Sequence, residues 1–99
     1  MSYFYIYQPV AVEEYKEAIE WYEKRSELAA ENFVKEFQEK LENVCKNPLL
    51  YRNSYKHFRE TSLKKYPYKI IYFIDASKKI IVVTSVYHHK RNPFKKYNK

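Results

Sequence analysis

The hydrophobic residues of this chain change their period twice, and the changes predict where strands give way to helices. Ser2–Gln8, SYFYIYQ, is rich in aromatic and β-branched residues, which predicts a strand that Pro9 ends. From Val12 to about Lys24, apolar residues recur every three or four positions. This period predicts an amphipathic helix, with Glu13 and Glu14 placed where the helix dipole favours anions.

A second stripe of apolar residues at helical spacing follows Ser26, which is a suitable N-cap residue. Asn47-Pro48 ends this second helix, because the residue before a proline is driven out of the α region. Two helices with so short a connection form a hairpin whose apolar stripes need a partner surface. The second stripe comprises Ala30, Phe33, Val34, Phe37, Leu41 and Val44.

The rest of the chain favours strands at Phe58–Leu63, Tyr68–Asp75 and Lys79–His88. The last two carry apolar residues on both faces, which is typical of central strands, and the short segment between them predicts an antiparallel hairpin. The predicted order is β-α-α-β-β-β. It describes an α+β fold in which an N-terminal strand and a two-helix hairpin precede a three-stranded antiparallel sheet, with the helices on one face. We expect a single domain over residues 1–99.

Composition narrows the possible chemistry. The chain has no glycine, so it lacks the glycine-rich loops that cradle phosphates, and we expect no nucleotide cofactor. One cysteine, Cys45, and three histidines argue against a structural zinc site, and a lone cysteine forms no internal disulfide. No signal-peptide pattern opens the chain, and its apolar runs fall far short of the roughly 20 residues that span a bilayer. We therefore expect a cytoplasmic protein with no cofactor, no bound metal and no membrane partner.

Charge is distributed unevenly along the chain. Residues 1–47 hold six Lys/Arg against ten Glu, a net charge of −4, whereas residues 48–99 hold thirteen Lys/Arg against two acids, a net charge of +11. The basic half also carries seven tyrosines, and cations interleaved with aromatic rings suit a nucleic acid or another polyanion. The alternative is a solvated lysine-rich surface that keeps a small protein soluble.

Three stretches of the sequence resemble one known family. They are EAIEWYEKRSELAAENFVKEFQEKLENVCKNPLLY in the helical hairpin, FRETSLKKYPYKIIYFI across two strands, and VVTSVYHHKRNP at the last strand. In these stretches the chain resembles the RelE/ParE superfamily of toxins from bacterial type II toxin-antitoxin systems, over about residues 10–97. The resemblance implies a growth-arresting protein that is neutralised by an antitoxin protein encoded beside it.

The resemblance implies two alternative targets. Members similar to RelE cut mRNA in the ribosomal A site, whereas members similar to ParE poison DNA gyrase without nuclease chemistry, and the shared fold does not choose between them. We favour a ParE-like gyrase inhibitor. The alternatives are a ribosome-dependent, metal-independent mRNA interferase and an inactive relative that only binds the antitoxin.

Nuclease activity would need an acid, a base and cations around the phosphate. The candidates are His88, Arg91, Lys69 and Arg59. By resemblance His88 occupies the histidine position of the family's nucleases, but His89 replaces a tyrosine and Lys69 an arginine, whose planar fork lysine lacks. No glutamate stands between Asn47 and His57, where the other acid or base would be sought.

The register between the last two strands tests the nuclease hypothesis. A four-residue loop, Ala76–Lys79, would place Lys69 opposite Val86, two residues before His88, so that Lys69 and His88 share a sheet face. Lys69 and His88 on opposite faces would rule out a joint site. Glu60 and Asp75, the two acids of the basic half, are expected to form local ion pairs, and for His88 the alternative role is a hydrogen bond to a neighbouring backbone group.

A gyrase inhibitor needs only a shaped cationic surface. The predicted surface for binding the target or a nucleic acid is formed by Arg59, Lys64, Lys65, His89, Lys90, Arg91, Lys95, Lys96 and Tyr97.

Overall fold

The structure is a computed structural model, and it describes residues 2–90. Within these residues, five strands, two helices and one 3-10 turn follow one another. In order they are β1 (Phe4–Tyr7), α1 (Pro9–Glu23), α2 (Glu27–Lys46), the 3-10 turn Pro48–Leu50, β2 (Arg52–Tyr55), β3 (Phe58–Ser62), β4 (Tyr68–Asp75) and β5 (Ile80–His88). The predicted α+β class and the order of the predicted elements are confirmed.

The strands form one mixed sheet in the order β1-β5-β4-β3-β2. β1 lies parallel to β5, and the other neighbours are antiparallel. The prediction that the last two strands are central is therefore confirmed. The sheet nevertheless has five strands instead of the predicted three, because β1 joins it and β2 was missed.

β2 has the sequence RNSY and lacks the alternating apolar residues by which a strand is predicted. It forms as an edge strand through pairing with β3, and Asn53 Nδ2 donates to the carbonyl oxygens of Lys56 and Phe58, at 2.9 and 3.2 Å. Lys56 takes the left-handed conformation in the turn, with φ of 51°. Pairing and turn geometry therefore set this strand, not hydrophobic pattern.

The helix ends depend on local chemistry. α1 begins at Pro9, three residues before the predicted start, because proline suits the first helical position. Glu13 and Glu14 consequently lie beyond the first turn, so their predicted interaction with the helix dipole is wrong. Ser26 caps α2 as predicted, since its Oγ accepts a hydrogen bond from the Ala29 N–H at 2.9 Å.

The core lies between the helices and one face of the sheet. Phe33, Phe37 and Leu41 of α2 are fully buried, and alternate residues of the central strands pack against them. Stacked rings extend this contact to α1, with ring centroids 4.2 Å apart for Tyr15 and Phe37. Within residues 2–90 no helix is long and apolar enough to cross a membrane.

Candidate functional site

Four of the predicted contact residues meet at one end of the sheet. The loop after β3 carries Lys64 and Lys65, and β5 runs past it to His89 and Lys90. The N–H of His89 donates to the carbonyl oxygen of Pro67 at 3.1 Å, which ties the two segments together. The side chains of both loop lysines and of Lys90 are exposed. We call Lys64, Lys65, His89 and Lys90 the cationic end of the sheet.

A carboxylate from α2 holds the loop of the cationic end in place. Glu36 Oε2 accepts hydrogen bonds from the backbone N–H groups of Lys64 and Lys65, the second at 3.3 Å. Because these hydrogen bonds come from backbone N–H groups, they fix the loop without engaging the ammonium groups of its lysines. Sequence reasoning missed this role of Glu36, since it links residues 28 positions apart.

Lys69 and His88 lie on opposite faces of the sheet, so the predicted pairing of Lys69 with Val86 is wrong. The four-residue loop is present and Asp75 pairs with Ile80, but Lys69 pairs with Tyr87. Directly opposed residues share a face and neighbours alternate, so His88 points away from the face that carries Lys69. The structure therefore rules out a joint site of these two side chains.

A β-bulge at Thr84 causes this change of register. Tyr72 pairs with Val83 and Ile71 pairs with Ser85, which leaves Thr84 as an extra residue in β5. The Thr84 hydroxyl donates to the Ile71 carbonyl oxygen at 3.3 Å. One inserted residue moves every later side chain of β5 to the other face.

Glu14 of α1 secures the bulge from outside the sheet. Its Oε1 accepts hydrogen bonds from the backbone N–H of Val86 at 2.8 Å and from the Ser85 hydroxyl at 2.9 Å. Because a bulge interrupts the ladder, a backbone donor beside it needs a partner elsewhere, and the carboxylate provides one. The pair Thr84-Ser85, polar inside the apolar run IIVVTSVY, is the sequence signal for this irregularity.

His88 opens onto a cavity of about 330 Å³ between α1 and the end of β5. Three carboxylates line this cavity, from Glu14, Glu17 and Glu20, with one lysine, Lys24. Such a lining repels the phosphates of a nucleic acid. His88 Nδ1 accepts a hydrogen bond from the Lys90 N–H at 3.2 Å, so the alternative role, bonding to a neighbouring backbone group, is confirmed.

Lys69 belongs to a charge cluster on the other face. Its Nζ lies 3.1 Å from Glu60 Oε2, and Arg52 Nη1 lies 3.7 Å from the same oxygen. These two distances confirm the predicted ion pair of Glu60, and this carboxylate is only 4% exposed. Asp75 instead accepts hydrogen bonds from the Ser77 hydroxyl and the Lys78 N–H, at 2.8 and 3.2 Å, which lower the pKa of its carboxyl.

Arg59 pairs with Tyr72 on the helix side of the sheet, away from the cationic end. Its Nη1 donates to the carbonyl oxygens of Tyr51 at 2.7 Å and Leu49 at 3.4 Å. The structure thus gives Arg59 a bracing role at the 3-10 turn. The other predicted site residues, Arg91, Lys95, Lys96 and Tyr97, lie outside the described residues. Among residues 2–90, no group of three or more His, Cys, Asp or Glu could hold a metal ion.

Comparison with known proteins adds a family match. The model of the family described as the ParE toxin of type II toxin-antitoxin system, parDE, matches residues 5–93. None of the curated proteins matches the sequence.

Solved structures show the same fold. A chain of the chromosomal ParDE system of P. aeruginosa is similar with a TM-score of 0.73 at 11% identity, covering 88% of this chain and 96% of its own. A mutant of the E. coli toxin RelE in the free state gives a TM-score of 0.65 at 19% identity, covering 91% and 86%. A chain of the intact E. coli RelBE toxin-antitoxin complex gives 0.61 at 19% identity, covering 86% and 94%.

Proposed function

Because the chain belongs to the ParE toxin family of type II toxin-antitoxin systems, we propose that it arrests bacterial growth by inhibiting DNA gyrase and that a cognate antitoxin neutralises it. The resemblance to the RelE/ParE superfamily associates ParE-like members with gyrase. Gyrase acts on DNA in the cytoplasm, so this proposal places the protein there.

The separation of Lys69 from His88 is the main reason for favouring gyrase over mRNA as the target. RNA cleavage without a metal needs its acid, base and cations around one phosphate. Here the sheet lies between the histidine and the lysine, and the cavity beside His88 is lined by three glutamates. His88 and Lys69, the two residues that suggested nuclease activity, therefore do not form one site.

An inhibitor that binds gyrase on DNA needs a fixed cationic surface, but it does not need a catalytic acid and base. The cationic end of the sheet has this character, since Glu36 and the bond from His89 to Pro67 hold its backbone while its lysine side chains stay exposed. Surface charges act mainly through long-range attraction, which salt weakens. We expect inhibition to weaken as ionic strength rises.

The antitoxin requires a different surface. A groove of about 460 Å³ lies between α1 and α2, and its lining combines apolar Ile19, Ala30 and Val34 with charged Glu23, Glu27, Glu31 and Lys35. An amphipathic segment laid along such a groove would bury its apolar face there. The structural neighbours include a complex of RelE with its antitoxin, which supports an antitoxin partner for this chain.

Supercoiling of relaxed plasmid by purified gyrase tests the proposal. The toxin should inhibit supercoiling, and the double variant Lys64→Glu/Lys65→Glu should need at least about tenfold more protein, since like charges facing each other cost more than the 1.4 kcal/mol of a tenfold change. The matched control is Lys78→Glu/Lys79→Glu, which changes the net charge equally at the β4–β5 turn, at the opposite end of the sheet. Supercoiling that persists at a high molar excess of wild-type toxin would refute the proposal.

A further inference from the structure

Two leucines protrude from the 3-10 turn between α2 and β2. Leu49 is 70% exposed and Leu50 is 74% exposed, although both are large apolar residues. Single exposed apolar residues are normal on soluble proteins, whereas two exposed leucines next to each other in the chain are a candidate interaction site. We call Leu49 and Leu50 the leucine knob.

Side chains from the core hold the backbone of the leucine knob. The hydroxyl of Tyr72, which is fully buried, donates to the Pro48 carbonyl oxygen at 2.7 Å. Arg59 donates to the carbonyl oxygens of Leu49 and Tyr51, on either side of Leu50. The buried ring of Pro48 fixes one further backbone angle. The knob is therefore preorganised, so that docking it costs little backbone entropy.

The stretch of chain that carries the knob is basic, although Glu42 and Glu60 flank it. From Asn43 to Arg59 the sequence contains four Lys/Arg and no acid. Lys46 precedes the turn and Arg52 follows it, and both are exposed, although Arg52 also faces Glu60 at 3.7 Å. A surface complementary to the knob would be apolar at its centre and acidic at its rim.

Shape decides between the two kinds of partner. A short convex turn needs a preformed concave pocket, which a folded protein offers, whereas an extended or helical antitoxin segment fits the groove between α1 and α2. We propose that the leucine knob inserts into an apolar pocket with an acidic rim on the folded protein that the toxin inhibits. This inference rests on the proposed function in one respect, that the target is a folded protein.

The test compares Leu49→Ser/Leu50→Ser with Leu28→Ser. Leu28 is 65% exposed on α2 and lies away from the turn, so it controls for loss of an exposed leucine. Growth arrest on induction is the first measurement, and inhibition of purified gyrase is the second. The double variant should lose growth arrest and inhibit gyrase at least about tenfold more weakly. Its melting temperature, and its complex with the protein encoded by the adjacent open reading frame, should match those of the Leu28→Ser variant.

The outcomes separate this inference from the choice of gyrase. Growth arrest by the double variant at the level of Leu28→Ser would overturn the docking role, and so would loss of the complex with the adjacent-frame protein. A wild-type toxin that arrests no growth would also overturn it. If the wild type arrests growth but leaves gyrase active, and only the double variant loses growth arrest, gyrase is the wrong target while the knob is still required for growth arrest.

Discussion

Glu14 should be the residue on which the register of β5 depends. Glu14→Ala removes the acceptor for the buried N–H of Val86 and for the Ser85 hydroxyl. A buried donor left without a partner costs about 1–3 kcal/mol, and a lost hydroxyl bond about 0.5–1.5 kcal/mol. Glu14 is itself only half-buried, and water can replace part of the loss, so we expect about 2 kcal/mol of lost unfolding free energy.

Chemical denaturation followed by circular dichroism measures this loss. For a domain of this size, 1 kcal/mol shifts the melting temperature by about 4–8 °C. Glu14→Gln keeps a carbonyl acceptor and loses only the charge, so it should cost about 1 kcal/mol. The matched control is Glu13→Ala, an exposed glutamate on the same helix, which should stay within about 0.5 kcal/mol of wild type.

Hydrogen exchange at a single amide makes the result specific. The Val86 N–H should exchange faster in Glu14→Ala than in Glu13→Ala, because opening of the bulge exposes it. Equal stability of the two alanine variants, with unchanged protection at Val86, would show that the carboxylate does not secure the bulge.

Three further predictions concern groups that the structure places elsewhere. Tyr72→Phe should lower the unfolding free energy by about 1–3 kcal/mol, because the Pro48 carbonyl loses its donor, and a urea midpoint equal to that of wild type would contradict the bond. Ser26→Ala should cost about 1 kcal/mol through loss of the cap on α2, and a urea midpoint like that of wild type would contradict the capping role. Hydrogen bonds from Ser77 and Lys78 lower the pKa of Asp75 below its usual 3.8, so the stabilisation is present above pH 3.8 and lost as the pH falls through the folded value. The gap in urea midpoint between wild type and Asp75→Asn should therefore narrow as the pH is lowered through 3.8 and beyond, and a gap that stays constant over this range would contradict it.

The sequence predicted the elements whose pattern is strong. β4 has the predicted bounds, because YKIIYFID is a continuous apolar run between turn residues. The second helix has its predicted cap and stop, since Ser26 and Asn47-Pro48 act through local backbone chemistry. Local signals of this kind need no knowledge of the partner strand.

The sequence failed where distant contacts decide. β2 exists because it pairs with β3, and the bulge at Thr84 is secured by a carboxylate 72 positions away from Val86. A run that is apolar on both faces carries no alternation from which register can be read. Thr84-Ser85 marks an irregularity in this run but does not show that one residue is added, so the face of His88 and its relation to Lys69 could not be predicted.

The structure describes the positions of only some of the residues predicted to contact the target. Lys64, Lys65, His89 and Lys90 converge as a cationic surface, and the strand order alone brings them to one end. Arg59 was expected to contact the target, but its guanidinium braces the 3-10 turn. Charge and spacing identify a cation, but they do not show which backbone oxygen it meets.

Mapping of mRNA ends in cells that express the toxin, with growth measured for wild type and His88→Ala, shows whether the toxin arrests growth without cutting mRNA. We predict that both proteins arrest growth and that neither creates new mRNA ends, because His88 and Lys69 lie on opposite sheet faces. New mRNA ends with the wild type, together with lost growth arrest in a folded His88→Ala that still binds its antitoxin, would contradict the account.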